Sequence, residues 1–68
     1  MSSRYQNLFN EVVAAIQSGD THKAARLVKP SKELKDKFVL RSLYLLYSAK
    51  GSSYYSPEKA KSQLDALD

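Results

Sequence analysis

Ser31-Lys32-Glu33-Leu34-Lys35-Asp36-Lys37-Phe38-Val39-Leu40-Arg41-Ser42-Leu43-Tyr44-Leu45-Leu46-Tyr47-Ser48-Ala49 is the stretch that decides the fold. On a wheel of 3.6 residues per turn, its apolar residues from Leu34 to Ala49 cover most of the circumference. They leave one narrow polar stripe of Lys37, Arg41, Tyr44 and Ser48. A helix this apolar must be enclosed on most sides. The spacing therefore predicts a central helix over about 32–49, capped by Ser31 and preceded by a stop at Pro30, with other helices around it.

The flanking sequence supplies those helices. Residues 4–18 place Tyr5, Leu8, Phe9, Val12, Val13 and Ile16 on one face, with Gln6, Asn7, Asn10 and Glu11 opposite and Ser2 or Ser3 available as a cap. Gly19 stands where a left-handed residue ends a helix, and Asp20 or Thr21 caps the next one, so Ser18-Gly19-Asp20 reads as a tight helix–helix turn. The helix that follows, about 21–29, presents Ala24, Ala25, Leu27 and Val28 for packing. Beyond the central helix, Gly51-Ser52-Ser53 forms a break and Tyr54-Tyr55 crosses a loop. Ser56-Pro57-Glu58 then supplies an N-cap, an N1 proline and a first-turn acid for a helix over about 57–67. That helix offers only Ala60, Leu64 and Leu67 to a core, which makes it the weakest element.

The expectation is a single all-α domain over 1–68, a small helical-hairpin domain of three to four helices. Phe9, Val13, Ile16, Leu27, Phe38 and Leu45 are the expected core. The central helix carries more apolar surface than its neighbours are fitted to cover. A second copy, as a homodimer, or an obligate partner is therefore expected to bury Leu40, Leu43 or Tyr47.

Two segments, Gly19-Asp20-Thr21-His22-Lys23-Ala24-Ala25-Arg26-Leu27-Val28 and Ser56-Pro57-Glu58-Lys59-Ala60-Lys61-Ser62-Gln63-Leu64, each carry Lys-Ala with a large apolar residue four positions after the alanine. They resemble the second halves of tetratricopeptide-type hairpins. Ala24 and Ala60 are 36 positions apart, against a family repeat of about 34. The resemblance implies two helical hairpins and a concave protein-binding surface. It transfers no ligand residue, and Val12 and Ala15 depart from the family's small and aromatic preferences in the first hairpin.

Composition narrows the function. The chain has 68 residues, no cysteine and one histidine, His22, so neither a disulfide framework nor a thiolate metal site is available. A chain this short buries only about 60% of its unfolded surface, so its stability rests on helix packing or on a partner. No apolar run approaches the roughly 18–20 residues of a membrane span, and Met1-Ser2-Ser3-Arg4-Tyr5 lacks the apolar region of a secretory signal. The chain thus reads as soluble, without membrane association, and cytoplasmic or nuclear. The carboxylates Glu11, Asp20, Glu33, Asp36, Glu58, Asp65 and Asp68 are scattered, and there is no glycine-rich phosphate loop. The expectation is a non-enzyme with no cofactor.

Charge is unevenly distributed. Residues 22–41 carry Lys23, Arg26, Lys29, Lys32, Lys35, Lys37 and Arg41 against Glu33 and Asp36, a net +5. Residues 1–21 sum to −1 and residues 42–68 to zero. A basic patch of this kind suits phosphates of RNA or DNA, with Arg26 and Arg41 as the bidentate donors. It is equally a solvated face with lysines placed favourably at a helix C-terminus. Five tyrosines add candidate anchors: Tyr44 on the polar stripe and Tyr54 and Tyr55 in the loop, with Tyr5 and Tyr47 nearer the core. Ser56-Pro57 has the form of a proline-directed phosphorylation site, although helix capping explains the same residues. The candidate contact set is therefore Lys23, Arg26, Lys29, Lys32, Lys37, Arg41, Tyr44, Tyr54 and Tyr55. The expected function is non-catalytic binding of another protein, as an interaction or adaptor module. The alternative is binding to a double-stranded RNA or DNA backbone through residues 22–41.

Overall fold

The computed structural model describes residues 3–68. It contains α1 (Ser3–Gln17), α2 (Thr21–Val28), a short 3-10 turn (Lys29–Ser31), α3 (Lys37–Tyr47) and α4 (Pro57–Leu67), with no strand among the described residues. The protein is a small all-α domain. Its radius of gyration, 10.9 Å, is that of a packed single domain of this length. The cap expected at Ser2 lies outside the described residues.

Local chemistry sets most helix ends where the sequence places them. Gly19 adopts φ +83°, which an L side chain disfavours, and this lets its own N–H and that of Asp20 donate to the Ile16 and Ala15 carbonyls at 3.0 and 2.8 Å. The Asp20 carboxylate then accepts from the Lys23 N–H at 3.1 Å and starts α2. At the other end of the chain, the Ser56 hydroxyl accepts from the Lys59 N–H at 3.3 Å ahead of Pro57, so Ser56 acts as the cap of α4. The Ser56 N–H also donates to the Tyr47 carbonyl at 2.8 Å, tying the start of α4 to the end of α3.

The central helix is shorter than 32–49. Residues after Pro30 form turns, with the Leu34 N–H donating to the Ser31 carbonyl at 2.9 Å. Asp36 is extended and caps α3 in place of Ser31: its carboxylate accepts from the Phe38 and Val39 N–H groups at 2.8 and 3.3 Å. Two otherwise unpaired donors at the helix start are satisfied by one side chain. Leu34 consequently leaves the helix and lies on the surface, 44% exposed. The far end stops at Tyr47, with Ser48 as C-cap and Gly51 at φ +86° in the loop beyond.

The core also differs from the expected one. Val12 and Ala15 of α1, Ala24 and Val28 of α2, and Val39, Leu43 and Leu46 of α3 form the buried cluster. Phe9, Val13, Ile16, Leu27, Phe38 and Leu45 are all half-buried. Small residues explain the exchange: Ala15 and Ala24 let the helices approach closely, so valines fill the interior and the large rings move to its edge. There Phe9 and Phe38 meet with centroids 5.9 Å apart, and Lys37 and Arg41 hold their cations 5.5 and 5.4 Å from the Phe38 ring centroid.

α3 packs against all three other helices. Its most extensive partner is α4, followed by α1, and its contact with α2 is lighter. Leu43 is 4% exposed and so is not available to a second copy, while Leu40 and Tyr47 are half-buried. Fully buried Ser42 donates its hydroxyl to the Phe38 carbonyl at 2.8 Å, which leaves no polar side-chain atom buried without a partner among the described residues. On α4, Ala60 is buried and Leu67 half-buried as expected, but Leu64 is 46% exposed instead of packed. No described helix is long and apolar enough to cross a membrane.

Candidate functional site

The contact between α2 and α3 is light, and an open groove lies along it, to which α4 contributes Lys59. Its volume is about 440 Å³, and its floor is apolar: Ala25 and Val28 of α2 with Leu43, Leu46 and Tyr47 of α3. Arg26 lies one helical position from Ala25, and Lys29 and Lys32 follow in the turn that Pro30 imposes, so three cations line one edge. Lys59 lines the groove from α4, its ammonium 5.5 Å from the centroid of the Tyr47 ring. No carboxylate lines the groove. Any anion entering it meets four cations above an apolar floor and can accept charge-assisted hydrogen bonds from them.

Tyr54 lines the same groove, and its hydroxyl shares a hydrogen bond of 3.1 Å with His22 Nδ1. The rings meet edge-on with centroids 5.4 Å apart. His22, Arg26 and Lys29 stand at i, i+4 and i+7, so the contact anchors the 48–56 loop against the same side of α2 that carries the cations. The Ser52 hydroxyl accepts from the Tyr54 N–H at 2.9 Å and fixes the loop backbone there.

The structure divides the expected contact residues. Arg26, Lys29, Lys32 and Tyr54 come together in the groove. Lys23 is exposed on α2 outside it, and Lys37 and Arg41 lie on the Phe38 ring at the opposite end of α3. Tyr44 and Tyr55 belong to a second depression of about 310 Å³ between α3 and α4, also lined by Lys50, Lys61 and Leu64. The net +5 of residues 22–41 is thus not a single surface. Sequence reasoning missed Lys59, which joins the cations of α2 only through the packing of α4 on α3. It also missed the tie between His22 and Tyr54, 32 positions apart.

Among the described residues no group of three or more His, Cys, Asp or Glu side chains could hold a metal ion. The groove offers positive charge around an apolar floor, with Tyr54 beside the cations. The chain matches no protein-family model, no curated protein and no solved structure.

Proposed function

We propose that this protein is a non-catalytic interaction module that receives an acidic, apolar-anchored segment of another protein in the groove between α2, α3 and α4. The observation that carries the proposal is the pairing of an apolar floor, Val28, Leu43 and Leu46, with a rim of Arg26, Lys29, Lys32 and Lys59 that contains no acidic residue. Apolar side chains of the partner gain from leaving water against that floor, and its carboxylates meet the rim. A duplex backbone is held by cations spread along a continuous surface, whereas here Lys37 and Arg41 lie on the Phe38 ring, apart from the cations of the groove.

The test is fluorescence anisotropy with a labelled peptide of alternating Asp or Glu and Leu, the same peptide with every Leu replaced by Ser, and a double-stranded RNA. The leucine-containing peptide binds tightest. Replacing Arg26, Lys29 and Lys59 together by Gln weakens it by about tenfold or more, a loss of at least ~1.4 kcal/mol. Equal binding of the serine peptide, or tighter binding of RNA with an affinity that falls steeply with salt, overturns the proposal.

A further inference from the structure

Leu64-Asp65-Ala66-Leu67-Asp68, the last turn of α4 with its C-cap, holds two leucines and two aspartates and no base. Leu67 is half-buried in its own fold, but Leu64 is 46% exposed and both aspartates are exposed. Asp65 adjoins Leu64 and Asp68 stands at i+4 from it, so both carboxylates share its side of the helix. Further back on this flank are Glu58 and Lys61. Lys61 is engaged by Asp65 in an ion pair of 3.2 Å, whereas Glu58 and Asp68 have no ion-pair partner among the described residues. Glu58, Asp65 and Asp68 against Lys61 leave the flank at a net −2 around an exposed leucine. The other exposed leucine, Leu34, lies among Lys32, Lys35 and Lys37 against Glu33 and Asp36, a net +1.

The acidic flank and the cationic groove are complementary, and they lie on different sides of one helix. Lys59 lines the groove, and Leu64, five residues on, stands about 140° around α4 from it. One chain can therefore offer its acidic flank to one neighbour while its groove stays open to another. The chain as a whole carries +4, but at physiological ionic strength charges more than about 8 Å apart are largely screened. The groups that face each other across a contact then decide its sign: acids around a leucine on one side, Arg26, Lys29, Lys32 and Lys59 around an apolar floor on the other.

We infer, on the reading of the groove as a site for an acidic, apolar-anchored segment, that a second copy of this chain supplies one: the Leu64–Asp68 end of α4 docks head-to-tail into the groove of its neighbour. Leu64 enters toward Val28, Leu43 and Leu46, and Asp68 and Asp65 meet the basic rim. Each contact joins two different surfaces, so it is heterologous and leaves one groove and one acidic end free in every pair of copies. Further copies extend the array or close it into a ring. Self-association and capture of another acidic segment compete for the same groove, so such a segment disperses the assembly.

Sedimentation equilibrium with two complementary variants tests this directly. One loses the groove (Arg26→Gln with Lys29→Gln) and the other loses the acidic end (Leu64→Asn with Asp68→Asn). All four side chains are exposed, so both variants should keep native helicity by circular dichroism. At several hundred micromolar the native chain should exceed the monomer mass, and each variant alone should sediment as a monomer. Their equimolar mixture should form a complex of one copy of each and go no further, because it holds one intact acidic end and one intact groove that can meet. Adding an acidic leucine-containing peptide should return the native chain to monomer. A mixture that associates no better than its components overturns the inference, as does a native assembly that the peptide leaves intact. A native chain that stays monomeric at that concentration overturns it too, and if the peptide still binds that chain, the reading of the groove survives.

Discussion

Val12 and Val13 are adjacent valines on α1, and they are expected to respond very differently to the same truncation. Val12 is fully buried, whereas Val13 is half-buried. Val→Ala removes two methyl groups, worth about 1.6 kcal/mol of transfer free energy when both are inside. At Val12 the residual cavity adds on the order of 1 kcal/mol, since Ala15 and Ala24 beside it in the cluster have no side chain long enough to fill the gap. Alanine's higher helix propensity returns roughly 0.5 kcal/mol at either site. Val12→Ala should therefore cost about 2 kcal/mol and Val13→Ala about 0.5 kcal/mol or less. For a domain of this length, whose total stability is roughly 3–10 kcal/mol, the first is a large fraction. Urea unfolding followed by circular dichroism, with an m-value of about 1 kcal/mol/M, separates the two by more than 1 M in midpoint. Equal shifts, or a larger one at Val13, would show that α1 is rotated so that Val13 rather than Val12 faces the core.

Asp36→Ala should destabilise by about 1 kcal/mol by freeing the Phe38 and Val39 N–H groups, while Ser31→Ala should change stability by less than about 0.5 kcal/mol; thermal melts of the pair locate the start of α3. Gly19→Ala meets no atom within 4 Å, so its cost is conformational alone and should be about 1–2 kcal/mol by urea unfolding; a neutral result would mean that Gly19 does not hold φ +83°. Exchanging Lys37 and Arg41 for Gln should leave binding of an acidic leucine-containing peptide within about twofold, because both cations lie on Phe38 rather than on the groove; a loss as large as that from Arg26, Lys29 and Lys59 would contradict this.

Helix existence was legible wherever a single residue decides a boundary. Gly19 with Asp20, and Ser56 with Pro57, each specify a helix end by local chemistry, and the structure uses both. The start of α3 was not legible in the same way, because Ser31 and Asp36 are both competent caps. The choice between them follows from the turns after Pro30 and from Asp36 satisfying two donors. Core orientation failed for a related reason. The apolar face of α1 is wide enough to admit either Val12 or Val13, and close approach through Ala15 and Ala24 settles which one turns inward. One basic edge of the groove was visible in the spacing of Arg26, Lys29 and Lys32. The opposing Lys59 was not, since a segment of zero net charge gives no hint that one of its lysines completes a basic site elsewhere in the fold.

Titration of the isotope-labelled protein with an acidic leucine-containing peptide, followed through backbone amide resonances, reports whether the α2–α3–α4 groove is the binding surface. Saturable shifts are expected at Arg26, Lys29, Leu46, Tyr54 and Lys59, which line the groove, with little change at Lys37 and Arg41. Shifts concentrated at Lys37 and Arg41, or no saturable shifts at the groove residues, would place binding elsewhere.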